Sequence, residues 1–198
     1  NEGDFSEYWN AMGEDQNEKM VFDISEVVLI FHGNSDSFVI GGDYITKEYI
    51  ANENNLDHKK IHTLRLSSCN SGNIDNCDNN LSTAFMGWGT VDEVFSWDGK
   101  SIFNYADRKT LKIFPCTLGS QEYCVYIDVT QISECSASNI ENILCFIAVS
   151  AMSQMIRIDS LDEFELGLVR YYFDSSGEIV YENVSDSNIY IDCWICTD

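Results

Sequence analysis

Basic residues are scarce in this sequence. Eleven lysines and arginines face 33 acids over 198 residues, for a formal net charge of −22. Nothing at that balance neutralises a phosphate backbone, so DNA and RNA are excluded as partners. Anionic membrane surfaces are disfavoured on the same ground, while solubility and attraction of basic substrates are favoured. Long apolar runs are missing as well. The most apolar region, 140–158, is broken by Glu141, Asn142, Gln154 and Arg157, and a bilayer span needs about 20 apolar residues in succession. Pro115 is the single proline beside a 44% hydrophobic content, which excludes a proline-rich or disordered chain. No basic stretch followed by an apolar one opens the sequence, so a signal peptide is either absent or removed.

What is present suits one ordinary domain, with room for a small appendage and a sizeable core. Acid is unevenly spread: Arg157 and Arg170 are the only bases after residue 112, whereas Lys100, Arg108, Lys109 and Lys112 sit together. Eight cysteines, an even number in an acidic chain, fit secretion and disulfides. Two sequons, at Asn80 and Asn183, fit export too, so localisation leans that way without being fixed.

The first 20 residues read as an acidic helix, with Phe5, Tyr8, Trp9 and Met12 spaced to pack as core. Val27 to Phe31 is a continuous apolar run, too short for a helix and closed by His32-Gly33-Asn34, which predicts a buried parallel strand. A loop rich in Gly, Ser and Asp follows, then a short helix over Thr46–Asn52 capped by Thr46. Ile61–Ser68 predicts the second strand, Leu81–Met86 a helix, and Val91–Trp97 a third strand closed by Asp98-Gly99. This alternation defines an α/β unit with a parallel sheet, covering a core of residues 1–110. Residues 111–198 read as its less regular, β-rich second half or as a small α+β appendage. There Leu111–Phe114 pairs with Tyr123–Val129, Asn139–Met155 is a helix, Asp174-Ser175-Ser176-Gly177 turns a hairpin, and Ile189–Trp194 is a last strand.

Two of these strands end in reactive residues. One runs into His32-Gly33 and the other into Cys69-Asn70-Ser71-Gly72, 37 positions after the histidine. Carboxyl ends of neighbouring parallel strands form the crevice where ligands bind, and a right-handed crossover brings both ends to one edge. A thiol becomes a nucleophile when a base stands beside it, and His32 supplies one for Cys69. Gly33 permits close approach of a substrate, and the N–H groups of Gly33 and Cys69 are candidates for an oxyanion hole.

An apolar strand ending in His-Gly, followed by one ending in Ser-Cys with Ser-Gly behind it, resembles the caspase-like cysteine peptidases, among them caspases, legumain, gingipains and clostripain. Cys69-Asn70-Ser71-Gly72, then Asn80, Ala84 and Trp97-Asp98-Gly99, is most similar to the bacterial clostripain-type enzymes. The resemblance covers residues 5–103. It implies a caspase-hemoglobinase sheet sandwiched by helices, a cysteine endopeptidase with no cofactor, and a peptide or protein substrate. Ser67, two before the nucleophile, then lines the pocket for the residue preceding the cleaved bond, together with Asp98. Clostripain-like enzymes carry an acid where Ser67 stands, so a strict Arg/Lys requirement does not follow; small or polar residues, or Asn/Asp, are expected. Family members usually have two strands before their first helix, which this sequence begins too late to include. Cutting near the loop after the histidine strand commonly activates clostripain-like relatives. Here that loop holds Gly41-Gly42 and ends near Lys47, and Lys59-Lys60 precedes the cysteine strand, both expected to be exposed and readily nicked.

Other residues read more blandly. His58 and His62 are surface and sheet residues. Cys193-Trp194-Ile195-Cys196 is a single Cys-x-x-Cys pair without the further ligands zinc needs, and Asp75, Asn76 and Asp78 form a solvated loop in preference to a calcium site. No metal is expected. Trp88 and Trp97 flank the crevice or pack the sheet edge. Two other classes of protein fit the same sequence: a non-catalytic caspase-like module that binds a basic partner, and a secreted, disulfide-stabilised structural protein.

Overall fold

The computed structural model describes residues 1–13, 23–87, 89–104, 108–118, 121–127 and 167–184. The expected helix Asn139–Met155, the strand Ile189–Trp194, the Cys193/Cys196 pair and Trp88 lie outside them. In chain order the elements are α1 (Glu2–Ala11), β1 (Ile24–Ile30), β2 (His32–Gly33), β3 (Ser37–Ile40), β4 (Asp43–Thr46), α2 (Lys47–Ile50) and β5 (Ile61–Ser67). A 3₁₀ turn (Ile74–Asn76), α3 (Leu81–Met86), β6 (Val91–Trp97), β7 (Ser101–Asn104), β8 (Lys109–Leu118), β9 (Gln121–Ile127), β10 (Leu168–Phe173) and β11 (Ile179–Asn183) follow. The chain divides into two compact units, Asn1–Asp98 with Val169–Glu182, and Gly99–Leu168 with Asn183–Asp198.

The first unit is α/β. Its five-stranded sheet has the order β1-β5-β6-β10-β11, and β1, β5 and β6 run parallel, with Leu64 opposite both Val27 and Val94. The parallel part forms as expected, but the strand expected to be buried, β1, lies at the sheet edge with Val27 buried and Val28 exposed. The sheet is mixed, however, because the hairpin expected around Asp174–Gly177 supplies its last two strands. Asp174 holds that turn: its carboxylate accepts from the N–H groups of Ser176 (2.8 Å) and Glu178 (3.0 Å) and from the Ser176 hydroxyl (2.7 Å).

Side chains alternate along the strands. Val27, Leu64, Leu66 and Val94 enter a core with Phe5, Trp9, Ile50, Leu81 and Phe85 from the helices, and burying each large side chain contributes about 1.5–3 kcal/mol. The aromatic contacts Phe5–Phe38 (5.2 Å) and Trp9–Phe85 (5.3 Å) run through it. Residues of opposite parity carry charge: Arg65 binds Glu26 at 2.6 Å and lies 4.6 Å over the Phe95 ring, and Arg170 binds Glu93 at 2.7 Å. His62, as expected, is a sheet residue, paired with Asp92 at 2.8 Å, and His58 is exposed.

Several expectations are corrected. The first helix ends at Ala11, and Tyr8 projects outward, 78% exposed, while Phe5 and Trp9 are buried. Residues 32–46 are not a loop but a small antiparallel sheet, β2-β3-β4, with Gly41 (φ +60°) and Gly42 (φ +97°) forming the turn between β3 and β4. Two positive φ values are what a two-residue hairpin turn requires, and glycine adopts them without strain. The lysines beyond it are tethered. Lys47 binds Asp36 (2.7 Å) and the Asn79 carbonyl (3.1 Å). Lys59 is 1% exposed, with its ammonium 2.5 Å from the Asn10 carbonyl at the end of α1. Of the anticipated nicking site, Lys59 is therefore packed inside the fold, while Lys60 is exposed and pairs with Asp23 at 2.7 Å. Asn80, read as a sequon, is 1% exposed with its side-chain nitrogen hydrogen-bonded twice, so it is no glycosylation site in the folded protein.

In the second unit β7, β8 and β9 form an antiparallel sheet, with Ile102 opposite Leu111 and Ile113 opposite Tyr126. The pairing across Gly119-Ser120 forms as expected, with a longer first strand, a second strand that starts two residues earlier, and β7 added. Among the described residues no helix is long and apolar enough to cross a membrane.

Candidate active site

The register of two strands builds this site. Ile30 lies opposite Ser67 in the β1–β5 ladder, and the Phe31 N–H donates to the Ser67 carbonyl at 3.2 Å. His32-Gly33 and Ser68-Cys69 are the residues immediately beyond, so both leave the same carboxyl edge of the sheet side by side. The aromatic stack of Phe31 on Phe38 (4.8 Å, 12°) fixes the chain just before the histidine, since Phe38 is itself in the core. His32 then pairs with Val39 in the small sheet and is exposed; Cys69 is half-buried.

Gly33 touches the second strand end. A Cβ on it would overlap the Ser68 hydroxyl and would stand 2.6 Å from the Ser37 carbonyl oxygen, so no larger residue fits. The Asn34 N–H donates to the Ser37 carbonyl at 2.8 Å, closing the β2–β3 turn. Hydrogen-bonded and non-bonded pairs alternate in an antiparallel ladder, so the next pair, Gly33 with Phe38, turns the Gly33 N–H away from β3. The Ser68 hydroxyl is buried and has no hydrogen-bond partner among the described residues.

The loop after Cys69 is held on every side. Asn70 takes a left-handed conformation (φ +55°), which asparagine tolerates better than most residues. The Ser71 hydroxyl donates to the Ser68 carbonyl (2.8 Å) and accepts from the Trp97 N–H (3.3 Å), and the Gly72 N–H donates to the Trp97 carbonyl (3.0 Å). The Ser82 hydroxyl, from α3, donates to the Ser71 carbonyl (3.1 Å) and shares a hydrogen bond with the Ser96 hydroxyl (2.7 Å). A Cβ on Gly72 would collide with Ser96, which is why glycine stands there. Asn80 caps α3 through the Thr83 N–H (3.1 Å) and donates to the Asn73 carbonyl (3.0 Å) and the Tyr171 phenol (2.8 Å); that phenol donates to the Gly72 carbonyl (3.0 Å). Burial pushes the Tyr171 phenol far up from its ordinary range, so it stays a neutral donor.

Asp98 faces this loop. Its carboxylate accepts from the Asn73 amide (3.3 Å) and the Ile74 N–H (3.4 Å). Ser67 is buried at the end of β5, and Trp97 is a buried residue of β6, so it packs the sheet instead of lining an open surface. Asp75, Asn76 and Asp78 are exposed. The Cys77 thiol borders a separate cleft of about 560 Å³ between α2, α3 and the β10–β11 turn.

Sequence reasoning singled out His32, Gly33 and Cys69 and passed over Ser68, Ser82, Ser96 and Tyr171, which the structure places around them. The spacing Asn80-x-x-Thr83 before an apolar run was a readable capping signal. Tyr171 left none, because it arrives from a strand about a hundred positions later in the chain. No protein-family model matches this chain, and neither does any curated protein or solved structure.

Proposed function

We propose that the first unit is a caspase-like cysteine endopeptidase, with Cys69 as nucleophile and His32 as general base, then general acid. One observation carries the reading. Hydrogen bonding of Phe31 to Ser67 lines up two strand ends so that His-Gly and Ser-Cys emerge together, with Gly33 packed on Ser68. In the reaction His32 takes the thiol proton and the sulfur attacks the carbonyl carbon of the scissile bond. The Gly33 N–H, turned away from β3, and the Cys69 N–H hold the oxyanion. His32 returns its proton to the leaving amine, a thioester remains on Cys69, and water activated by His32 hydrolyses it.

Ser67 and Asp98 are assigned to the residue before the cleaved bond, Asp98 while it also ties the loop at Asn73 and Ile74. The net charge of −22 favours substrates with basic segments, whose encounter it accelerates at low salt. A peptidyl acyloxymethyl ketone tests the assignment, with mass mapping of the modified residue. Labelling of Cys69, and its loss in His32→Ala, is expected. Equal labelling of Cys69 and Cys77, independent of His32, overturns the reading in favour of a non-catalytic binding module.

A further inference from the structure

We infer that Tyr171 is the positioning residue of the Cys69 loop, and that the late β10–β11 hairpin thereby completes the peptidase site proposed above, on which this inference rests. The loop leaves β5 at Ser68 and must return to the core within a few residues while presenting Cys69 at the sheet edge. Its sharpest point is Gly72, whose peptide groups are gripped from two strands: the N–H by the Trp97 carbonyl on β6 (3.0 Å) and the C=O by the Tyr171 phenol on β10 (3.0 Å). The phenol is fully buried and saturated, since it donates to Gly72 while accepting from Asn80 at 2.8 Å. Asn80 uses the same side-chain nitrogen to hold Asn73 and its oxygen to start α3. One hydroxyl therefore couples three pieces of the unit to the loop that carries the nucleophile.

A buried, saturated network of this kind admits one arrangement, because any shift leaves a polar group unpaired in a dry interior. Packing alone does not need the hydroxyl. The Tyr171 ring fills core volume that phenylalanine would fill equally. What phenylalanine lacks is the grip on the Gly72 carbonyl, and with it the fixed distance from loop to His32.

Tyr171→Phe separates these roles. Iodoacetamide alkylation is followed at Cys69 and Cys77 by peptide mapping across pH, together with thermal melting and peptide hydrolysis by the intact chain. Expected is a Cys69 alkylation rate about 10–100-fold lower near neutral pH. On peptide substrate kcat falls by a similar factor while KM stays within about twofold, as for a group that aligns without binding. A folded Tyr171→Phe protein whose Cys69 alkylates at the wild-type rate overturns the inference. If that variant does not fold, 3,5-difluorotyrosine at position 171 keeps the ring and strengthens the donor, and it must change the Cys69 alkylation rate; no change overturns the inference as well. Failure of the peptidase reading looks different, since wild-type protein then hydrolyses no peptide while the Cys69 alkylation rate still reports on Tyr171.

Discussion

Gly33 and Ser68 occupy one shared space. A Cβ at residue 33 would fall on the Ser68 hydroxyl and lie 3.1 Å from the Phe38 Cα, so it would meet a side chain of one strand end and the backbone of β3. Backbone atoms cannot be moved aside as a side chain can, and overpacking of a filled site costs about 1–3 kcal/mol. Gly33→Ala is therefore expected to lower the unfolding free energy in urea by that amount and to abolish labelling of Cys69 by the peptidyl ketone. Ser68→Gly in the same chain should restore only part of the stability, because the Ser37 carbonyl oxygen still stands in the way. A Gly33→Ala protein with wild-type midpoint and labelling would show that the approach is not as close as described.

Ser68 itself gives a prediction of opposite sign. Its hydroxyl is buried without a partner among the described residues, and an unsatisfied buried group costs about 1–3 kcal/mol of desolvation. Ser68→Ala removes the hydroxyl while keeping the Cβ, so stability should be unchanged or rise by up to about 1 kcal/mol. Equilibrium unfolding in urea measures this directly. A loss of stability would mean that the hydroxyl bonds an internal water.

For the reaction, Cys69→Ala should remove peptide hydrolysis while the circular dichroism spectrum and melting temperature stay those of wild type. His32→Ala should retain a residual rate lower by about 10²–10⁴-fold, the usual contribution of a positioned base. His32 is exposed and reached from β2 alone, so its removal should leave stability nearly unaffected. A His32→Ala protein as active as wild type would remove the histidine from the mechanism.

The strand at Val27 was legible as a continuous apolar run and those at Ile61 and Val91 in apolar residues spaced between polar ones, and their ends were marked by His32, Cys69 and Asp98. The cap of α2 was legible in Thr46, whose hydroxyl accepts from the Tyr49 N–H at 3.1 Å. The sheet of residues 32–46 was hidden, since its glycines, serines and acids have loop composition, and its strands are only two to four residues long. Partnership at long range was hidden too. Nothing near Leu168–Phe173 says that the strand joins β6 or that Tyr171 reaches Gly72, because that pairing depends on the shape of a sheet assembled from distant segments. The charge of Lys59 suggested exposure, and only the end of α1 explains why it is inside.

The hairpin that carries Tyr171 should depend on pH through Asp174. Its carboxylate accepts from the Ser176 hydroxyl first, then from backbone N–H groups, which hold it below the ordinary 3.8. A depressed folded value means that the carboxylate stabilises the turn above the ordinary value, and that this support is lost as pH falls through the depressed one. Carbon-detected NMR of the Asp174 carboxyl should give a midpoint below 3.8, with protection of the Gly177 and Glu178 amides declining over the same range. In Asp174→Asn that pH dependence should vanish. A midpoint at or above the ordinary value would mean that the turn does not hold the carboxylate as described.

Lys59 supplies the last prediction. Two adjacent lysines in a polar segment are ordinarily an inviting site for trypsin. Here Lys59 is 1% exposed and its ammonium sits 2.5 Å from the Asn10 carbonyl, where a cation satisfies one of the open carbonyls at the end of α1. The following residue is held as well: the Lys60 carbonyl accepts from the Ile24 N–H at 2.8 Å, and its ammonium pairs with Asp23 at 2.7 Å. A protease must draw several residues out of these contacts before it can cut, so cleavage requires opening of α1 away from the core. Limited trypsin digestion of the native protein should leave Lys59–Lys60 uncut until urea approaches the unfolding midpoint. Lys59→Met keeps most of the apolar stem but removes the charged hydrogen bond, which contributes about 1.5–3 kcal/mol. That variant should melt earlier and become sensitive at Lys60 in lower urea. Rapid native cleavage between these two lysines in wild-type protein would show that the segment is open, and the burial of Lys59 would then be wrong.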